Sequence, residues 1–228
     1  MPPSVFGPLW FPFTIDDSRF TIHDSRTIFT GMKHLLFTAL VVAAVFAGCS
    51  EREKAKERLI YNKEFDWTIT IPEDFDTLTP KEWAKIQGRG AEAIEKTYGT
   101  EIENNSNTIF VFKNSKFNYF ESNWQPYDTA EVSSYEETCQ AVNDMIYGTF
   151  EAQMPDARLD SASSTETISG LEFRVFKVNI GLPDDKNLEC RLYTRLFGNR
   201  EFSVNITTLD KEKRAALLKA WRGSKFGT

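Results

Sequence analysis

The sequence predicts a single α+β domain over residues 61–228, built on a mainly antiparallel sheet with helices on its faces. Segments of alternating apolar and polar residues, typical of half-buried strands, are interspersed with segments whose apolar residues recur every three or four positions, typical of helices. Strand segments in the C-terminal third follow one another directly, which favours hairpins and therefore antiparallel pairing. The predicted order of elements is β-α-ββ-α-βββ-α.

The first strand and the first helix have the clearest patterns. Phe65–Ile71 alternates apolar with polar residues and stops at Pro72, which cannot donate to a sheet ladder. Thr79 and Glu82 form a capping box around a proline suited to the first helical position. These signals predict a helix over residues 80–98, ended by the following glycine.

The middle of the chain contains two short predicted strands and a second helix. The strands cover Thr108–Phe112 and Lys116–Phe120, and a loop containing Trp124 and Tyr127 follows them. A serine cap then opens a helix over 134–154, whose apolar residues recur at spacings of three and four. This pattern predicts that one face of the helix packs on a core.

The C-terminal third is rich in strands. We expect strands at 171–180, 188–197 and 201–207, and residues 158–167 can hold one further, weak strand. Gly198 and Asn199 indicate a hairpin between the last two. Asp210 can cap a last helix that runs through Trp221, and residues 224–226 can return to the core as a short strand or a turn.

Residues 1–31 have no pattern of a folded element. A seven-residue direct repeat begins at Phe13 and again at Phe20. The repeated unit is too short, and its copies are too few, for a repeat fold. Two interpretations are open. The segment is either translated upstream DNA ahead of a true start at Met32, or a disordered extension.

Residues 32–48 resemble the signal peptide of bacterial lipoproteins. A short basic region precedes the uncharged run Leu35–Ala47, which is shorter than the about 20 residues that span a bilayer. The run ends in Ala47, Gly48 and Cys49, the small residues and cysteine of a lipobox, although Phe46 stands where leucine is usual. A core helix and a plain secretory signal are the alternatives.

The lipoprotein resemblance implies that Cys49 is lipidated and becomes the new N-terminus. Residues 49–60 are then a charged tether, and the chain is held in the bacterial cell envelope by lipid in the membrane. Ser50 follows the cysteine, which by the same resemblance favours the outer membrane over retention at the inner one.

Cleavage before Cys49 restricts the chemistry of the remaining chain. It removes both histidines, His23 and His34, with three basic and three acidic groups, and leaves the net charge at −6. Without histidine there is no Ser-His-Asp or Cys-His arrangement and no His-based zinc site. We therefore predict no catalytic residue, no metal and no cofactor. The net negative charge separately predicts no nucleic-acid partner, because that binding needs clustered Lys and Arg. A pair of carboxylates is the chemistry that remains available.

Cys139 and Cys190 are the two cysteines of the predicted domain. An oxidising compartment permits a disulfide between them. Both lie in apolar patterns, so buried free thiols are the alternative. Spacing alone does not decide between the two.

The predicted domain resembles the PsbP/Mog/DcrB-like family over most of residues 61–228. The resemblance rests on segments that are structural rather than catalytic. These are Phe65–Pro72 and the helix after it, the capped helix 134–154, the turn into a strand at Ile168–Phe173, and the terminal helix that ends in Ser224–Phe226. It implies a single α/β/α sandwich and a tendency toward binding or assembly roles.

Three functions are compatible with these observations. The first is a non-enzymatic envelope lipoprotein that binds a partner protein or supports envelope assembly, with Asn118, Tyr119, Trp124 and Tyr127 as an aromatic partner surface. The alternative for these side chains is that they cover the sheet. The second function is a periplasmic small-ligand binder with a cleft between sheet and helix. The third is a hydrolase that uses two carboxylates.

Overall fold

The computed structural model describes residues 58–99, 105–127, 134–183 and 185–227. Within them lie ten strands and three helices, in an order that contains the predicted one. The elements are β1 Arg58–Asn62, β2 Trp67–Ile71, β3 Asp76–Thr77, α1 Pro80–Tyr98, β4 Asn107–Ser115, β5 Asn118–Pro126, α2 Tyr135–Gln153, β6 Arg158–Ile168, β7 Leu171–Gly181, β8 Asn187–Phe197, β9 Arg200–Thr208, α3 Lys211–Arg222 and β10 Lys225–Phe226.

The strands form two sheets in which every neighbouring pair is antiparallel. The larger sheet has seven strands in the order β3-β4-β5-β9-β8-β7-β6. The smaller one has three strands in the order β1-β2-β10. The prediction of an antiparallel sheet is confirmed, and β5 and β9 lie near the centre of the larger sheet.

Each face of the seven-stranded sheet is covered by a separate layer. On one face, Ile94 of α1 and Phe150 of α2 share a core with Val178 and Ile180 of β7. On the other face, the three-stranded sheet and α3 pack together. Their core is an aromatic cluster in which Trp67 is fully buried, and it includes Phe173, Phe202, Trp221 and Phe226. The predicted helices on the faces of the sheet are confirmed.

The predicted helix ends are confirmed by their hydrogen bonds. Thr79 and Glu82 form the reciprocal capping box at the start of α1, and Gly99 ends the helix with a left-handed φ of 67°. Asp210 accepts from the backbone N–H groups of Glu212 and Lys213 at the start of α3. Local sequence signals therefore determine where these helices begin and end.

Two segments differ from the prediction. Arg58–Asn62 is a strand, so the last residues of the predicted tether join the domain by pairing with β2. The predicted loop after Phe120 is instead the second half of β5, which continues to Pro126 because β9 pairs with it along its whole length. β1 forms a short hairpin with β2, whereas the second half of β5 depends on pairing with the distant β9, which local patterning does not reveal.

No helix in the described ranges is long and apolar enough to cross a membrane. Cys49 and the predicted signal peptide lie outside the described residues.

Candidate functional site

A row of buried polar side chains crosses the face of the large sheet that α1 and α2 cover. We call these six side chains the polar floor. It consists of three directly opposed pairs from β5 and β9, namely Glu121 with Asn205, Asn123 with Ser203, and Gln125 with Glu201. All six are at most 7% exposed. Neighbouring residues of the same strands, such as Phe120 and Phe202, belong to the aromatic core on the other face.

Hydrogen bonds join the members of the polar floor to one another. Gln125 donates from Nε2 to Glu201 Oε2 over 2.7 Å. Ser203 donates from Oγ to Asn123 Oδ1 over 2.6 Å, and Asn123 Nδ2 donates to Glu121 Oε1 over 3.2 Å. These bonds offset part of the free energy that burying polar groups costs. They also fix the side-chain orientations.

Burial shifts the protonation of both acids in the polar floor. Desolvation raises the pKa of Glu121 to about 8, although hydrogen bonds from Asn123 and Asn205 act in the opposite direction. Desolvation also raises the pKa of Glu201, against hydrogen bonds from Gln125 and Tyr135. Glu121 is thus mostly a neutral acid at pH 7, able to donate as well as accept a hydrogen bond.

The two helices above the polar floor meet at one end and separate at the other. The Tyr98 hydroxyl of α1 donates to the Met145 carbonyl of α2 over 3.1 Å, beside Gly148. At the opposite end, Trp83 near the start of α1 contacts Tyr119 of β5. Tyr135 at the start of α2 instead donates to Glu201 of β9 over 3.0 Å. The N-terminal ends of α1 and α2 therefore lie near opposite ends of the polar floor, and we call the region between the two helices over β5 and β9 the wedge.

The Cα atoms of the two acids in the polar floor are farther apart than the carboxyl groups of a glycosidase pair. Glu121 lies opposite Asn205, four positions along β9 from Glu201. Four residues of a strand span about 13 Å between Cα atoms. Paired carboxyl groups in retaining and inverting enzymes are about 5–9.5 Å apart. The described residues also contain no group of three histidine, cysteine or acidic side chains placed to hold a metal ion.

Two of the three aromatic residues of the predicted partner surface are buried. Tyr119 is 2% exposed and Tyr127 is 7% exposed. Trp124 is half-buried and belongs to the opposite face of β5 from Tyr119, because side chains alternate along a strand. Asn118 accepts from the backbone N–H groups of Leu209 and Asp210, a structural contact at the start of α3. These side chains cover the sheet, as in the alternative interpretation.

The structure holds Cys139 and Cys190 as free thiols, not as the disulfide that was one of two expectations. Cys190 Sγ accepts from the Thr207 hydroxyl, whereas Cys139 Sγ lies 3.9 Å from Thr194 Oγ1. Thr194 and Cys190 are four residues apart on β8, about 13 Å along the strand. A disulfide needs Cα atoms within about 7 Å.

Sequence reasoning missed the polar floor, although a signal for it was present. Residues 119–125 and 201–207 both carry polar side chains at every second position. In a single sequence this alternation is typical of a strand with one face in water. The face is buried because two helices separate in sequence pack over it, which only the tertiary structure reveals.

Comparison with solved structures identifies the fold. The solution structure of cyanobacterial PsbP (CyanoP) from Synechocystis sp. PCC 6803 matches 80% of this chain and 99% of its own, with a TM-score of 0.50 and 8% identity. A Bacteroides thetaiotaomicron VPI-5482 protein matches 71% of this chain and 45% of its own, with a TM-score of 0.39 and 11% identity. The Saccharomyces cerevisiae Ran-binding protein Mog1p matches 72% of this chain and 82% of its own, with a TM-score of 0.34 and 10% identity.

No protein-family model matches the chain. No curated protein matches it either. The similarity to CyanoP shows the fold alone: the described domain is an α+β domain with the CyanoP fold, with antiparallel sheets and helices packed on them. The expected fold class is confirmed at this level.

Proposed function

We propose that this chain is a non-enzymatic binding protein, held in the bacterial cell envelope by lipid on Cys49, that binds a small polar ligand in the wedge between α1 and α2. The observation that carries the proposal is the polar floor. Six polar side chains buried beneath two helices are costly for a core built for stability alone. Departures of this kind from an apolar core are typical of functional sites.

The chemistry of the polar floor favours an uncharged ligand rich in hydroxyl or amide groups. The amides of Asn123, Gln125 and Asn205 both donate and accept hydrogen bonds. Two acids in the same row disfavour an anion, and the raised pKa of Glu121 leaves it mostly uncharged at pH 7.

Ligand entry requires the helices to separate, because the polar floor is at most 7% exposed. The contact of Tyr98 with Met145 holds the C-terminal end of α1 against α2. The N-terminal ends contact different strands, so their separation requires the contact of Trp83 with Tyr119 or that of Tyr135 with Glu201 to break. A partner protein in the envelope stays a prediction to which no surface among the described residues is assigned.

A matched pair of serine variants tests the ligand site. Thermal unfolding of the full chain is measured against a panel of neutral sugars, polyols, amino acids and amides. We expect at least one compound to raise the Tm of the wild-type chain and of Ser163→Ala, which changes an exposed residue of β6. Ser203→Ala removes the hydroxyl that contacts Asn123 and abolishes that rise. A panel without a hit, or a hit unaffected by Ser203→Ala, contradicts the site.

The anchor is tested by the intact mass of the protein from the membrane fraction of its native host. An acylated chain beginning at Cys49 supports the envelope location, with the outer membrane favoured by Ser50. A mass that retains Met1 or Met32 without acylation contradicts the anchor. The ligand site is not affected by that result.

A further inference from the structure

Among the described residues, three large hydrophobic side chains are exposed to solvent, and two of them lie on one short strand. Leu59 is 73% exposed and Tyr61 is 57% exposed, and both belong to β1. The third, Tyr98, lies on α1 and is 46% exposed. Single exposed apolar residues are ordinary on protein surfaces. Two exposed apolar residues at alternate positions of one strand lie on the same face and indicate a functional surface.

The strand register places these two side chains on the outer face of the three-stranded sheet. Tyr61 lies opposite Thr68, which in turn lies opposite Lys225, and Leu59 lies opposite Thr70. The intervening positions of β2, such as Ile69, are buried in the aromatic core. We call Leu59, Tyr61, Thr68, Thr70 and Lys225 the outer face.

The outer face is close in sequence to the predicted lipid. Leu59 follows Cys49 by ten residues, so even a fully extended chain holds the two within about 35 Å. A lipid on Cys49 therefore keeps β1 near the membrane surface. Among the described elements, β1 is the nearest to Cys49 in sequence.

We infer that the outer face docks on the lipid surface of the membrane that holds the anchor, an inference that rests on the proposed lipidation of Cys49. Leu59 enters the interfacial region, and the amphipathic ring of Tyr61 lies at the level of the headgroups. The charges on and beside the outer face are mixed, since Lys63 and Lys225 are basic and Glu64 and Asp66 are acidic. Docking thus depends on the apolar pair and not on anionic lipid.

This orientation has a consequence for the ligand site. The three-stranded sheet and the polar floor belong to opposite faces of the seven-stranded sheet. With the outer face on lipid, the wedge between α1 and α2 opens away from the membrane, toward the aqueous compartment. Lipid then determines the direction from which a ligand approaches.

The test uses the processed lipoprotein in vesicles of phosphatidylethanolamine, with or without phosphatidylglycerol. A fluorophore is attached at Thr70→Cys on the outer face or, as the matched control, at Ala84→Cys on the exposed side of α1, in a Cys139→Ser background. Lipids that carry a quencher near the headgroup report proximity. We expect quenching at position 70 to exceed that at position 84 at least twofold, in both lipid mixtures and at high salt.

The double variant Leu59→Ser/Tyr61→Ser tests whether docking depends on the two exposed apolar side chains. We expect it to lower quenching at position 70 to the level of position 84, while acylation of Cys49 is unchanged. Equal quenching at the two positions in the wild-type chain overturns the docking, as does a double variant that behaves like the wild type. Protection of position 70 that rises with protein concentration in the absence of lipid assigns the face to a second copy instead.

The mass of the protein distinguishes a failure of the lipid anchor from a failure of the docking. A chain whose mass lacks acylation at Cys49 overturns the envelope proposal and the docking with it. An acylated chain with equal quenching at positions 70 and 84 overturns the docking alone.

Discussion

The hydroxyl of Tyr135 donates to Glu201 Oε1 over 3.0 Å, and this contact joins the first residue of α2 to the central strand β9. Glu201 also accepts from Gln125 of β5, so one buried carboxyl connects a helix and two strands. This contact helps to hold the N-terminal end of α2 on the sheet, together with the ion pair of Glu136 with Arg174 of β7. The first prediction follows from it.

Tyr135→Phe should lower the free energy of unfolding by about 1–2 kcal/mol, because it leaves a buried carboxyl oxygen without its donor. Tyr98→Phe is the matched control, since its hydroxyl bond to Met145 is exposed to solvent and its loss should cost less than about 0.5 kcal/mol. Urea unfolding of the three chains measures the difference. Equal losses for the two variants contradict the special role of the Glu201 contact.

Glu121→Gln should change how stability depends on pH. Burial raises the pKa of Glu121 from 4.5 to about 8, so between these values the folded state holds a proton that the unfolded state has released. This group therefore makes the free energy of unfolding fall as pH rises through that window. The glutamine variant does not titrate, and relative to the wild-type chain it should gain on the order of 4 kcal/mol between pH 5 and pH 9.

Thermal or urea unfolding across that pH range measures the effect of Glu121→Gln. The control is Glu92→Gln, which changes an exposed residue of α1. A pH profile of Glu121→Gln that stays parallel to that of the wild-type chain would mean that the Glu121 carboxyl is ionised in the fold.

Tyr127→Ala should act on folding and not on a partner surface. The Tyr127 ring packs edge-on against Tyr135 at 5.3 Å, and its hydroxyl contacts Thr138. Truncation of a buried aromatic side chain costs about 3 kcal/mol or more. Tyr61→Ala, on the exposed outer face, should cost less than about 0.5 kcal/mol. A fully stable Tyr127→Ala chain contradicts the buried placement.

Cys139 and Cys190 should remain reduced in the native protein. Desolvation raises the pKa of Cys190 to about 12 and also raises the pKa of Cys139, so both thiols are poor nucleophiles. A thiol reagent should modify Cys139 slowly and Cys190 only on unfolding. The intact mass should not change on reduction, and a rise of about 2 Da would instead establish the bridge.

Elements with strong local signals were predictable. The capping residues Thr79 and Asp210 predicted the starts of α1 and α3, and Gly198 with Asn199 predicted the hairpin of β8 and β9. The second half of β5 was missed, although its polar residues alternate as in a strand with one face in water. Its identity depends on pairing with β9, whose residues lie about eighty positions later.

The sequence by itself determined the helix ends, the antiparallel fold class and the prediction of a lipid anchor at Cys49, because each rests on residues adjacent in the chain. Only the tertiary structure decided which polar residues are buried. It brought β5 and β9 together, laid α1 and α2 across them, and placed Leu59 and Tyr61 on the outer face. The physical reason is that burial depends on which distant segments cover a residue. Polar residues at every second position of a strand give the same sequence pattern whether their face is in water or covered by helices.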